Sequence, residues 1–146
     1  METNIYKINP WEIIEEGWDP GKVMGSESIF SIGNGAMGQR ANFEEDFSGK
    51  TLKGSYIAGI YYPDKTKVGW WKNGYPEYFA KVINAPSWIG ISILINGIPL
   101  DLNKVDKIEK FERKLDMKNG IYERSISINT NDNLKVEIDS KRFLSM

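Results

Sequence analysis

The residues best suited to chemistry crowd into one stretch, Glu27 to Glu45, which reads Glu-Ser-Ile-Phe-Ser-Ile-Gly-Asn-Gly-Ala-Met-Gly-Gln-Arg-Ala-Asn-Phe-Glu-Glu. It holds Arg40, one of the chain's four arginines, three glycines within six residues (Gly33, Gly35, Gly38) and three carboxylates (Glu27, Glu44, Glu45). Three readings fit. A tight hairpin would use Gly33-Asn34-Gly35 as its turn and Arg40 paired with Glu44 or Glu45 as its clasp, with Gly38 admitting a close neighbour. A phosphate cradle would use the glycine backbone N–H groups, but the spacing of a dinucleotide fingerprint says little where no helical pattern follows. A loop that leaves its own domain would carry Arg40 and the carboxylates to a site assembled elsewhere.

The rest of the composition narrows the chemistry. Histidine and cysteine are both absent. That removes the commonest general base, the usual catalytic triads, disulfides and the commonest zinc ligands. Acid or base work falls to Asp, Glu, Lys and Tyr, which suits sugar chemistry run by carboxylates. No metal site is expected. The second concentration of interest is aromatic: Trp70, Trp71 and Tyr75 sit in a turn-rich segment, Lys65 to Phe79. They either stack on sugar rings, or cover an open end of the fold or pack on a second domain.

The net charge is −1, from 19 basic and 20 acidic side chains spread along 146 residues. No electrostatic footprint for nucleic acid or an anionic membrane exists, so neither is expected as a partner. No run approaches the roughly 18 apolar residues of a membrane span, and the start lacks a signal peptide's pattern, so a cytoplasmic protein is expected. Ser140 to Met146 stops in strand-like material and reads as cut short.

Elements able to position these residues are short and β-like. Asn9-Pro10 could open a short helix ending at Gly17. Ser28 to Ile32 is predicted as a strand, Met37 to Phe43 as its partner, and Gly54 to Tyr62 as the next strand, ending at Pro63-Asp64. Ile89, Ile91, Ile93 and Ile95 alternate strictly, Asn96-Gly97 is a strong hairpin signal, and Ile98, Leu100 and Leu102 return with period two. Lys104 to Met117 places Val105, Ile108, Phe111 and Leu115 at helical spacing, yet turns at Lys118-Asn119-Gly120, leaving helix and strand open. Tyr122, Arg124, Ile126 and Ile128 share one face of a strand that pairs with Leu134 to Ile138. Eight or nine strands at spacings of about ten residues predict an all-β, antiparallel β-sandwich.

Four motifs in order resemble the N-terminal part of family 65 glycoside hydrolases, the group of maltose, trehalose and kojibiose phosphorylases and acid trehalases. The first is Glu27 to Glu45. The others are Gly54-Ser55-Tyr56-Ile57-Ala58-Gly59-Ile60-Tyr61, Val82-Ile83-Asn84-Ala85-Pro86-Ser87-Trp88 and Arg113-Lys114-Leu115-Asp116-Met117-Lys118-Asn119-Gly120-Ile121. Ala41 departs from the family's usual glycine. The resemblance favours an extended N-terminal segment and a strand at Lys104 to Met117.

It also implies that residues 1–146 are an N-terminal sandwich whose C-terminal part, and the (α/α)6 barrel that holds the active site, belong to the rest of a parent chain. In that family a barrel glutamic acid protonates the glycosidic oxygen of an α-linked glucose disaccharide while inorganic phosphate attacks the anomeric carbon with inversion. In the trehalases water replaces phosphate. No barrel motif occurs here, so no catalytic residue is assigned to this chain. Asn34, Arg40 and Glu44 are then expected to face the barrel, phosphate is a co-substrate of the parent rather than a cofactor, and a homodimer is compatible. A free-standing carbohydrate-binding module using Trp70, Trp71 and Tyr75 is the alternative.

Overall fold

The computed structural model describes residues 5–67, 74, 76–130, 132 and 134–145. Its elements are β1 (Tyr6–Ile8), β2 (Glu12–Glu16), α1 (Val23–Ile29), β3 (Ile32–Gly33), β4 (Met37–Gln39), β5 (Ser55–Ile57) and β6 (Tyr61–Lys65). There follow β7 (Tyr78–Val82), β8 (Leu94–Ile95), β9 (Ile98–Pro99), β10 (Lys107–Asp116), β11 (Ile121–Asn129) and β12 (Lys135–Arg142). All described strand pairings are antiparallel, in one five-stranded sheet ordered β1-β2-β10-β11-β12, one three-stranded sheet β3-β4-β5 and the ribbons β6-β7 and β8-β9. The fold is the all-β antiparallel sandwich the alternation predicts, with the large sheet as one layer and α1, the small sheet and the segments around Phe43 and Leu100 as the other.

Period-two patterning decides the large sheet's faces. Phe111, Leu115, Tyr122, Ile126 and Ile128 are buried on its inner face. The outer face carries the ladder Lys114–Glu123–Lys141, with ion pairs of 2.8 and 3.1 Å, as a solvated surface should. The ambiguous Lys104 to Met117 segment is the strand β10. A register shift between Ile108 and Lys110 lets Ile108 and Phe111, three residues apart, both reach the apolar cluster, which imitates helical spacing.

Several expectations fail locally, among them the strand Met37 to Phe43, which ends at Gln39. Ser28 to Ile32 is not a strand: Ser28 and Ile29 end α1, and only Ile32 enters β3. The buried positions of α1 are Val23, Ser26 and Glu27, followed by buried Phe30, a helical i, i+3, i+4, i+7 stripe hidden from an apolar count because two members are polar. Gly54 to Tyr62 is likewise two strands, β5 and β6, with a turn between them, and β6 runs on through Pro63 to Lys65. Pro63 is tolerated because, among the described residues, β6 pairs only with β7.

Asn96-Gly97 forms the expected hairpin turn, with φ of 51° and 78°, the two positive values a type I′ turn needs. Its ladder is short, Ile95 opposite Ile98 and Leu94 opposite Pro99, extended by Leu100 N donating to Ile93 O at 2.8 Å. Ile89 and Ile91 lie outside any strand. The N-terminal segment is extended, not helical, with β1 and β2 paired around the Asn9–Glu12 turn.

Asp101 fastens this region to the loop after Phe47. It is buried and accepts from Ser48 N (3.1 Å) and Asn103 N (3.0 Å), with Lys104 Nζ at 3.2 Å. Burial pushes its pKa up, but these hydrogen bonds outweigh it and hold the carboxyl below its ordinary value. A depressed folded-state pKa gives stability that is present above the unfolded value of about 3.9 and is lost as pH falls through the lower folded value. Asp101→Asn is therefore expected to cost about 1–3 kcal/mol at neutral pH. In urea melts the gap to wild type should close below about pH 3.9; a gap that stays constant down to the acid limit would contradict the assignment.

Candidate functional site

The segment after β4 leaves the small sheet yet stays inside the domain: Ala41, Asn42, Phe43 and Glu45 are buried, and the Glu44 side chain is 11% exposed. The inner face of the large sheet presents it with arginines. Arg113 stands directly opposite Glu15 on one side and Arg124 on the other, and Arg124 stands opposite Ser140. This row crosses the core between two apolar clusters, one built on Phe111, Ile126 and Ile128, the other on Leu115 and Tyr122.

Arg113, Arg124 and Arg142 each meet a carboxylate. Arg124 grips Glu45 bidentately, Nη1 to Oε1 at 2.7 Å and Nη2 to Oε2 at 2.6 Å, and its Nη2 lies 3.0 Å from Glu44 Oε2. Burial alone would lower the Arg124 pKa, but the Glu45 hydrogen bonds and charge raise it, so it stays charged. Arg142 donates to Glu44 Oε1, to Asn42 O at 2.9 Å and to Arg40 O at 3.2 Å. Arg113 Nε is 2.9 Å from Glu15 Oε2, out of line for a hydrogen bond. Burial raises the Glu15 pKa by more than Arg113 and the Ser26 hydroxyl lower it. The Phe43 ring takes the Arg113 and Arg124 guanidinium carbons at 5.0 and 5.1 Å from its centroid, which eases the approach of two like charges.

Above this row lies a cleft of about 420 Å³. One wall is Asn42 to Asp46, another is Lys53, Gly54 and Ser55, and the third is the segment from Asn84 to Ser92. Backbone hydrogen bonds staple the third wall at both ends, Ala85 N to Ser55 O at 2.7 Å and Ile91 N to Glu44 O at 2.8 Å. The volume lies in the range of small-molecule sites, and the lining mixes amides, hydroxyls, carboxylates and one lysine with apolar surface.

The sequence-derived candidates divide. Glu44 lines the cleft. Arg40 pairs with neither Glu44 nor Glu45: its Nε donates to Leu52 O (2.8 Å) and its Nη2 to Ser28 Oγ (2.7 Å) and Met24 O (3.2 Å), tying α1 to the chain before β5. A side chain at Gly54 would run into Arg40 Cδ and the Tyr56 hydroxyl, so Gly54, rather than Gly38, is where the close approach occurs. Asn34 organises its own turn, accepting from Ala36 N (3.0 Å) and Met37 N (2.8 Å), and donates to Ser145 O at 2.6 Å. Glu27 is a buried anchor, accepting from Leu52 N at 2.7 Å and from Thr51 Oγ1. Trp70, Trp71 and Tyr75 lie outside the described residues.

Residues 13–146 match the family model described as "Glycosyl hydrolase family 65, N-terminal domain". The chain belongs to that family. Over its whole length this family 65 domain is 47% identical to maltose phosphorylase of Bacillus subtilis (strain 168), of which it covers 19%. It is 32% identical to α,α-trehalose phosphorylase of Thermoanaerobacter brockii, with 97% of this chain aligned to 19% of that protein. A solved structure named "Putative kojibiose phosphorylase from human microbiome" superposes with a TM-score of 0.77 at 38% identity, over 92% of this chain and 18% of that one. The family 65 domain thus spans about a fifth of the length of these three relatives. Among the described residues no helix is long and apolar enough to cross a membrane, and no cluster of potential metal ligands occurs.

Missed by sequence reasoning were the partners of the carboxylates. Arg124 was legible as the one charge on the buried face of β11, whereas Glu15 and Arg142 gave no local signal. Their burial follows from register, which pairing sets.

Proposed function

We propose that this family 65 domain is the non-catalytic front end of an α-glucoside phosphorylase, and that the cleft side of the domain, with Glu44 in its wall, faces the catalytic barrel of the same chain. The observation that carries this is convergence: three of the four sequence motifs, around Glu44, Gly54 and Asn84, line one cleft. In the parent, a barrel glutamic acid would donate its proton to the glycosidic oxygen as that bond breaks, while a phosphate oxygen bonds to the anomeric carbon with inversion. Maltose, trehalose and kojibiose are the candidate substrates, and inorganic phosphate is the co-substrate. Asn34 and Arg40 hold the domain's signature segment in shape behind Glu44. The exposed ribbon β6-β7, with Tyr61, Tyr62, Tyr78, Phe79 and Val82 open to solvent, is surface that a further domain or a second copy would cover. The protein would work in the cytoplasm.

The test uses the full-length protein with each disaccharide and phosphate. Phosphate-dependent release of β-glucose 1-phosphate is expected, and Arg40→Ala should lower kcat/KM or the cohesion of the domain. Absence of any phosphate-dependent product, or an Arg40→Ala variant with unchanged kinetics and an unchanged melting curve, would contradict the reading.

A further inference from the structure

We propose that Arg142 and Arg124 are positioning residues, which fix the cleft wall at Asn42 to Glu45, and the Arg40 carbonyl just before it, by clamping them to the end of β12 and the middle of β11. Four charges, those of Arg124, Arg142, Glu44 and Glu45, are brought together there and sum to zero. Burying such a set costs desolvation that apolar packing would avoid, so bulk stability is a poor reason for its presence. What it supplies is direction. Arg142 reaches the carbonyls of Arg40 and Asn42 and the carboxylate of Glu44, every second residue along the segment that leads into and forms the wall. Arg124 takes both oxygens of Glu45 and sits beside Glu44. Each of these contacts uses the planar fork of a guanidinium, which a lysine ammonium cannot reproduce.

The opposite wall hangs from the same residue, because Ile91 N donates to Glu44 O. A shift of Glu44 therefore moves both sides of the cleft. The Arg142 guanidinium carbon also stands 5.0 Å from the centre of the Tyr122 ring, which fixes its position from beneath.

The expected consequence is local, and its activity arm rests on the phosphorylase reading. In the full-length protein, Arg142→Lys and Arg142→Met should speed amide hydrogen exchange at Asn42 to Glu45 and at Ile91 by about tenfold or more while β10-β11 amides stay unchanged. They should also lower kcat/KM for disaccharide phosphorolysis by about tenfold. Glu44→Gln should reproduce the exchange change, and the double variant should add little to either single one. Unchanged exchange at Ile91, or exchange raised equally across β10-β11, would overturn the positioning role. If wild-type protein turns over none of the disaccharides, the functional reading falls while the exchange comparison still decides the role of the arginines.

Discussion

Arg124→Ala is expected to destabilise this domain by about 3–5 kcal/mol, because it leaves the fully buried Glu45 carboxylate without its bidentate partner. The side chains of Arg124 and Glu45 are 1% and 0% exposed, so water cannot replace what is lost. Glu44 retains Arg142, which confines the damage to one carboxylate. Replacing both partners with apolar groups of similar volume, Arg124→Met with Glu45→Leu, should recover much of the loss, since no buried charge is then stranded. Chemical denaturation followed on this domain's own transition distinguishes the two. A single variant within about 1 kcal/mol of wild type, the range of an exposed pair, would mean that the pair is solvated in solution.

Phe43→Ala is expected to be of similar size, about 3–5 kcal/mol, the usual cost of truncating a buried phenylalanine. Phe43 is the joint between the apolar cluster and the charged row. Its ring meets Phe47 at 4.9 Å, Trp18 at 6.0 Å and Phe111 at 6.2 Å, centre to centre, and lies beside two guanidiniums. Removing it opens a cavity and also takes away the ring that stands near both Arg113 and Arg124. Phe43→Leu, which keeps part of the apolar volume but no π face, should fall between wild type and alanine. A loss for leucine equal to that for alanine would indicate that ring electrostatics outweigh packing. Equal stability of all three proteins would contradict the placement of Phe43.

The sheet was legible wherever apolar residues alternate, as in β11 and β12, because a one-residue slip would expose the whole face. The Asn96-Gly97 turn was legible because few residues accept two successive positive φ values. The helix α1 was not, since Ser26 and Glu27 occupy its buried stripe and their hydrogen-bonding partners, Glu15 and Thr51, lie elsewhere in the chain. Glu27 to Glu45 stood out in the sequence for its special residues, but the structure uses them within the domain: Glu27 accepts from Leu52 N, Arg40 donates to Leu52 O, and Glu45 pairs with Arg124. What the sequence left hidden is that Glu45 pairs with Arg124 and Glu44 with Arg142, 79 and 98 residues away in the chain, brought close only by strand pairing. Local spacing made Arg40 the natural clasp; the sheet's register assigns that work to other arginines.

The structure of the full-length protein tests the central claim most directly. The cleft between Asn42–Asp46 and Asn84–Ser92 should be closed by a catalytic barrel, with Glu44 in its wall and the Arg124–Glu45 pair intact beneath. A full-length structure in which that cleft opens to solvent on the side away from the catalytic domain would contradict it.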